Sequence, residues 1–217
     1  MADLAAPTVE RLDLDDGAWV DLARGWLAPE EAAEVYDALV EHVAWQQGRV
    51  FRYDHWYEEP RLGGYWRPGT PAPHPRIVDL HRVVQRTWRK EFDGLSFAWY
   101  RDGRDSVAWH ADRELKWLDD TLIAVLTLGA QRPWLLKPRS QKFADDALAG
   151  VVRHDLRPGS GDLFAMGGRT QADWVHAVPK VPGLVDGRIS LQWRWTSRRG
   201  RQELGGSYRK PRRYGGR

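Results

Sequence analysis

The chain has 217 residues, 42% hydrophobic and 29% charged, with a formal net charge of +3, which fits one globular domain with short appendages. It contains no cysteine, so disulfides, cysteine-ligated zinc, iron–sulfur clusters and thiol catalysis are excluded, and any metal must be held by His, Asp or Glu. No apolar run approaches the ~18–20 residues of a membrane span, and the acidic start MADLAAPTVERLDLDD lacks the basic-then-apolar order of a signal peptide; a cytoplasmic monomer without membrane contacts is expected.

In chain order, the apolar residues Ala32, Val35, Tyr36, Leu39, Val40 and Val43 recur with helical spacing and predict a helix from Pro29 to Trp45. Pro29 suits a first helical position, and Glu30 and Glu31 suit the positive end of the helix dipole. Residues 46–74 are rich in Gly, Pro and aromatics, and strands and loops are expected there. A second helix is predicted from Pro75 to Phe92, with Ile77, Leu80, Val83, Val84, Thr87 and Trp88 on one side.

After Gly94 the pattern becomes short and turn-bounded: 95–101, 106–110, 121–129, 132–138, 151–156, 162–167, 174–178 and 189–197 all read as strands. The expectation is an α+β, mainly β fold: a jelly roll with the N-terminal helices covering one sheet. One domain would then span 1–197, with a helical part over about 20–93 and a jelly-roll core over about 94–197. Residues 198–217 form a basic tail with Arg198, Arg199, Arg201, Arg209, Lys210, Arg212, Arg213 and Arg217 against a lone Glu203. Such a tail either holds a phosphate backbone or is simply solvated. Of the thirteen tryptophans, some are expected in the core and others suit stacking on flat substrates.

His110-Ala111-Asp112 puts two metal ligands on one side of an extended chain, because strand side chains alternate. His176 would arrive from another strand. Two His and one carboxylate leave open positions on an octahedral iron, the ligand set of Fe(II) oxygenases. The His-x-Asp triplet alone has little weight, since this composition yields roughly 0.6 such triplets by chance. Arg188 and Arg194 are six apart in RISLQWR and so share a strand face, about 20 Å apart at ~3.3 Å per residue. There they either grip the ends of a dicarboxylate or decorate the outer sheet.

Together these segments resemble the AlkB family of nucleic-acid dealkylating dioxygenases. WYRDGRDSVAWHADRE (99–114) looks like that family's tyrosine strand, turn and iron-binding loop. GDLFAMGGRTQADWVHAVP (161–179) is similar to its second metal segment, and RISLQWR (188–194) to its terminal arginine signature. The likeness covers about 95–197 and extends weakly back through Pro60-Arg61-Leu62.

The resemblance implies a double-stranded β-helix with His110, Asp112 and His176 as catalytic iron ligands. It implies Tyr100, Arg188 and Arg194 as contacts to the cosubstrate 2-oxoglutarate. Fe(II), 2-oxoglutarate and O2 would then remove an N-alkyl group from a base in DNA or RNA, releasing formaldehyde, succinate and CO2. Single strands cost less to engage than duplex, from which the base must be flipped. The alternative is a 2-oxoglutarate-dependent hydroxylase acting on a tRNA, a protein or a small molecule.

Three positions depart from the family's pattern. Ala98 stands where many relatives carry Asn, which puts one cosubstrate contact in doubt. Arg113 replaces the first member of an acidic pair and Glu114 keeps the second; both are candidate substrate contacts. The segment 63–75 is short for an aromatic lid, leaving Tyr65 and Trp66 to stack on the substrate. Lys137 is a further candidate, for the pocket rim or a phosphate.

Overall fold

The computed structural model describes residues 4–52, 54–112, 115–116, 118–146 and 154–197. Before the jelly roll come β1 (Glu10–Asp13), β2 (Ala18–Ala23), α1 (Pro29–His42), β3 (Gln46–Arg52), β4 (His55–Trp66) and α2 (Arg76–Trp88). Then follow β5 (Leu95–Tyr100), β6 (Val107–His110), β7 (Thr121–Gly129), β8 (Leu135–Pro138), β9 (His154–Asp155), β10 (Leu163–Gly168), the single turn α3 (Thr170–Asp173), β11 (Trp174–Val178) and β12 (Arg188–Thr196). The strands form a large sheet in the order β1-β2-β10-β7-β12-β5-β4-β3 and a smaller one in the order β6-β11-β8-β9.

The region before Gly94 is therefore not only helical, because its four strands lengthen both ends of the large sheet. In β2, AWVDLA, a buried Asp21 interrupts the apolar pattern. Its carboxylate accepts hydrogen bonds from Arg11 at 2.7 Å and from the Trp88 indole at 3.0 Å. That pairing permits a charge in a strand centre.

α1 and α2 lie on the outer face of the large sheet. Ala32, Val35 and Leu39 of α1 and Ile77, Leu80 and Val84 of α2 pack with Leu122, Ala124, Leu126 and Leu128 of β7 and Ile189, Leu191 and Trp193 of β12. The alternate β7 residues Ile123 and Val125 face the space between the sheets, with Ala98, Tyr100, Trp134, Phe164, Met166 and Val178. Burial on both faces explains why β7 reads as an unbroken apolar run. α2 ends where Arg89 takes a left-handed conformation, φ 51°, and its N–H reaches back to Gln85 and Arg86.

His81 of α2 is buried, and its Nδ1 accepts from the Trp193 indole at 3.1 Å. Burial lowers its pKa below 6.5, so the folded protein resists a proton that the unfolded chain accepts. Burial lowers His110 and His176 in the same direction. Their stabilising contribution is present above the unfolded value of about 6.5 and is lost as pH falls below it. The metal-free protein should therefore show a lower urea midpoint at about pH 5.5 than at about pH 7.5. An equal or higher midpoint at the lower pH would contradict this.

Candidate metal centre

β6 and β11 pair antiparallel, with His110 directly opposite His176. The two imidazoles lie with centroids 4.2 Å apart. Asp112 follows β6, and His110 Nε2 lies 3.6 Å from its Oδ1. One ligand atom from each of His110, Asp112 and His176 falls within 4.8 Å of the others. Local bonds set the ring orientations. His110 Nδ1 donates to the Ala108 carbonyl at 2.9 Å, which leaves Nε2 with a free lone pair. Trp134 stacks on His176 at 5.1 Å with 15° between the planes.

The electrostatics keep these groups ready for a cation. Burial drives both imidazoles toward the neutral form, His176 most strongly. Burial alone would raise the Asp112 carboxyl, but Arg194, His110 and His176 outweigh it and hold it well below the usual carboxylate range. Arg194 Nε donates to Asp112 Oδ2 at 2.5 Å, so Oδ1 remains turned toward His110. Neutral imidazoles and an ionised carboxylate are the protonation states that metal binding requires.

The pocket around the triad is lined by Arg61, Tyr100, Trp134, Ser190, Gln192 and Arg194, among others. Arg61 donates to the Tyr100 hydroxyl at 3.2 Å. Because a guanidinium cannot accept, the phenolic proton is free to donate elsewhere. Arg188 pairs with Tyr100 across β12 and β5, and its guanidinium carbon lies 6.0 Å from the tyrosine ring centre. It is wholly buried, none of its guanidinium nitrogens has a hydrogen-bond partner among the described residues, and burial pushes its pKa down to about 10.

The family model described as 2OG-Fe(II) oxygenase superfamily matches residues 20–194. The chain belongs to this superfamily. Among curated proteins, it is 32% identical over 186 residues to alpha-ketoglutarate-dependent dioxygenase alkB homolog 3 of Bos taurus, covering 81% of this chain and 65% of that protein. It is 25% identical over 222 residues to the DNA oxidative demethylase ALKBH2 of Arabidopsis thaliana, covering 87% of this chain and 70% of that one. The AlkB resemblance read from the sequence is thus borne out, although the chain spans just under two-thirds of the bovine relative's length. A prolyl hydroxylase structure from Trichoplax adhaerens matches with a TM-score of 0.59 at 13% identity, covering 82% of this chain and 83% of that one. That match concerns the fold and agrees with the expected jelly roll.

A 2OG-Fe(II) oxygenase uses Fe(II) and 2-oxoglutarate, and the residues present fit both. Two neutral imidazoles and a carboxylate suit Fe(II). Arg188 is a buried cation without a counter-charge among the described residues, next to a tyrosine that lines the pocket. An uncompensated buried charge is costly, and a dicarboxylate would supply what it lacks.

The expected site residues divide. His110, Asp112 and His176 converge, and Tyr100, Arg188 and Arg194 share the pocket side of the large sheet. The two arginines do not lean toward each other. Arg194 engages Asp112 and the Gln192 amide, while Arg188 stays beside Tyr100.

Tyr65 and Trp66 are not at the pocket. They pair with Ser96 and Leu95, four and five residues from Tyr100, or about 13–17 Å along the strand. Trp66 is buried in the helix-side core and donates to Thr70, and the Tyr65 hydroxyl meets the Asp93 carbonyl. Lys137 is not at a rim. It is fully buried on the side of β8 opposite the core residue Leu136, and its ammonium is 2.6 Å from Asp146 and 4.3 Å from the Trp109 ring centre. Arg113, Glu114 and the tail 198–217 lie outside the described residues.

Sequence reasoning missed Arg61 and Gln192 as pocket-lining residues. The alternation in RISLQWR already placed Gln192 on the face shared by Arg188 and Arg194. The hairpin of β3 and β4 lies in the stretch where strands and loops were expected, and it runs past the end of β5. The Pro60 carbonyl accepts from Ser106 N at 2.8 Å, just ahead of β6. Exposed Trp56 and Tyr57 lie farther out on this hairpin.

Proposed function

We propose that this chain is an Fe(II)/2-oxoglutarate-dependent demethylase of N-alkylated bases in DNA or RNA, with His110, Asp112 and His176 as the iron ligands. The observation that carries the reading is their convergence in one pocket that Tyr100 also lines, with the buried Arg188 beside that tyrosine. Arg188 and the Tyr100 hydroxyl would bind one carboxylate of 2-oxoglutarate. Arg194 would keep the Asp112 carboxylate turned toward the metal and add positive charge at the pocket's other end. With Fe(II) held by His110, Asp112 and His176, the site would supply the chemistry by which O2 oxidatively decarboxylates 2-oxoglutarate to succinate and CO2 and hydroxylates the N-alkyl carbon, giving a product that releases formaldehyde. Trp134, Val107, Ile123, Val125, Met166 and Val178 wall the pocket and limit the entry of water, which would divert the oxidation.

For the substrate, the likeness to an alkB homolog and to a DNA oxidative demethylase supports a nucleic acid, and so does the β3–β4 hairpin. Trp56 and Tyr57 offer aromatic faces beyond the pocket residue Arg61, and each stacked base contributes roughly 1–3 kcal/mol. The test is incubation with Fe(II), 2-oxoglutarate, O2 and single-stranded DNA or RNA oligomers carrying 1-methyladenine or 3-methylcytosine. Formaldehyde release with loss of the methyl group is expected. Succinate without demethylation would move the activity to another substrate, such as a tRNA, a protein or a small molecule. Neither product from a folded, iron-loaded sample would overturn the proposal.

A further inference from the structure

The Asp112 side chain is held by Arg194, but its backbone has a separate anchor. Its N–H donates to Gln171 Oε1 at 2.8 Å. Its carbonyl accepts from Leu115 N at 3.0 Å and Lys116 N at 2.8 Å. Both sides of the residue are thereby pinned, and little backbone rotation is left to it.

Gln171 is wholly buried. The nearest partner of its Nε2 is the Met166 sulfur at 3.9 Å, a weak acceptor. If this position only filled space, an apolar side chain of similar volume would serve without burying an amide whose donor is so little used. The strong bond is the one to Asp112. Gln171 is itself held: Arg139 donates to the carbonyls of Gln171 and Ala172, and the Thr170 hydroxyl donates to the Gly167 carbonyl at 2.5 Å. Its turn, α3, leads directly into β11, which carries His176.

We infer that Gln171 is a positioning residue that sets Asp112 in register with His176, so that one short segment fixes two of the three metal ligands. The inference rests on the reading of His110, Asp112 and His176 as Fe(II) ligands. Losing the Gln171 acceptor would free the turn after β6 and let Asp112 follow Arg194 out of the position a metal requires. Groups that orient metal ligands commonly change affinity by about 10- to 100-fold when removed.

The test compares wild type with Gln171→Met, which keeps the volume but not the acceptor, and Gln171→Glu, which keeps both. Co(II) serves as the probe, and its visible absorption bands report affinity without turnover. Circular dichroism and thermal unfolding of the metal-free proteins check the fold. Gln171→Met should bind Co(II) about 10- to 100-fold more weakly, and its turnover should recover as Fe(II) is raised. Gln171→Glu should bind close to wild type. Unchanged Co(II) affinity in folded Gln171→Met overturns the inference, as does an equal loss in Gln171→Glu. Failure of wild type itself to bind Co(II) would remove the ligand assignment first, and this inference with it.

Discussion

His176→Ala should abolish Fe(II)- and 2-oxoglutarate-dependent turnover while leaving a folded protein. The imidazole is buried between His110 and Trp134, and no other histidine lies in the pocket lining beyond His110. Its loss leaves two ligands from one short segment, too few to hold a facial site. The structural cost is a partly filled hole beside Trp134, on the order of 1–3 kcal/mol by the usual range for such losses. That is tolerable for a domain stabilised by about 5–15 kcal/mol. The measurements are succinate formation, Co(II) titration and circular dichroism. Retained turnover, or wild-type metal affinity in the variant, would remove His176 from the ligand set.

The second large effect is expected at Arg188, where stability and function move in opposite directions. An unpaired guanidinium in the interior is destabilising, so Arg188→Met should raise the stability of the ligand-free protein, by about 1–4 kcal/mol if it behaves like other apolar replacements of buried charge. The same change removes hydrogen bonds to an ionised ligand, each worth about 1.5–3 kcal/mol. The KM for 2-oxoglutarate should therefore rise by at least about tenfold per bond lost. Saturating 2-oxoglutarate with a redox-inert metal should raise the wild-type Tm and leave the variant's nearly unchanged. A variant that melts lower than wild type without ligand, yet keeps its cosubstrate affinity, would mean that Arg188 is a packing residue.

How much of this was legible in the sequence depended on whether the signal was local. β7 and β12 carry continuous or alternating patterns, and their limits in the structure lie within a residue of those expected. β1 and β2 were missed because ERLD is exposed throughout and Asp21 breaks the apolar run of its neighbour. Both depend on partners distant in the chain, and a buried carboxylate reads as surface until Arg11 and Trp88 are seen beside it. The convergence of the candidate triad was legible through linked motifs, since pairing of β6 with β11 is what brings residues 110 and 176 together. Tyr65 and Trp66 were misassigned because aromatics in a Gly-rich stretch suggest a lid, whereas β4 continues through them into the sheet. Lys137 was misassigned because a lysine after an apolar strand suggests a rim, and its carboxylate partner Asp146 belongs to a later loop. Gln171 left no sequence signal, because a buried amide matters through its hydrogen bond and not through its type.

β7 runs down the middle of the large sheet with its even-numbered residues against the helices and its odd-numbered ones toward the pocket. That separation divides the consequences of change. Replacing Leu126 or Leu128 would alter heat tolerance without touching a pocket wall, whereas replacing Ile123 or Val125 would reshape the chamber while the helical layer stays packed. A single strand thus offers two independent handles, one for robustness and one for substrate preference, interleaved at every second residue.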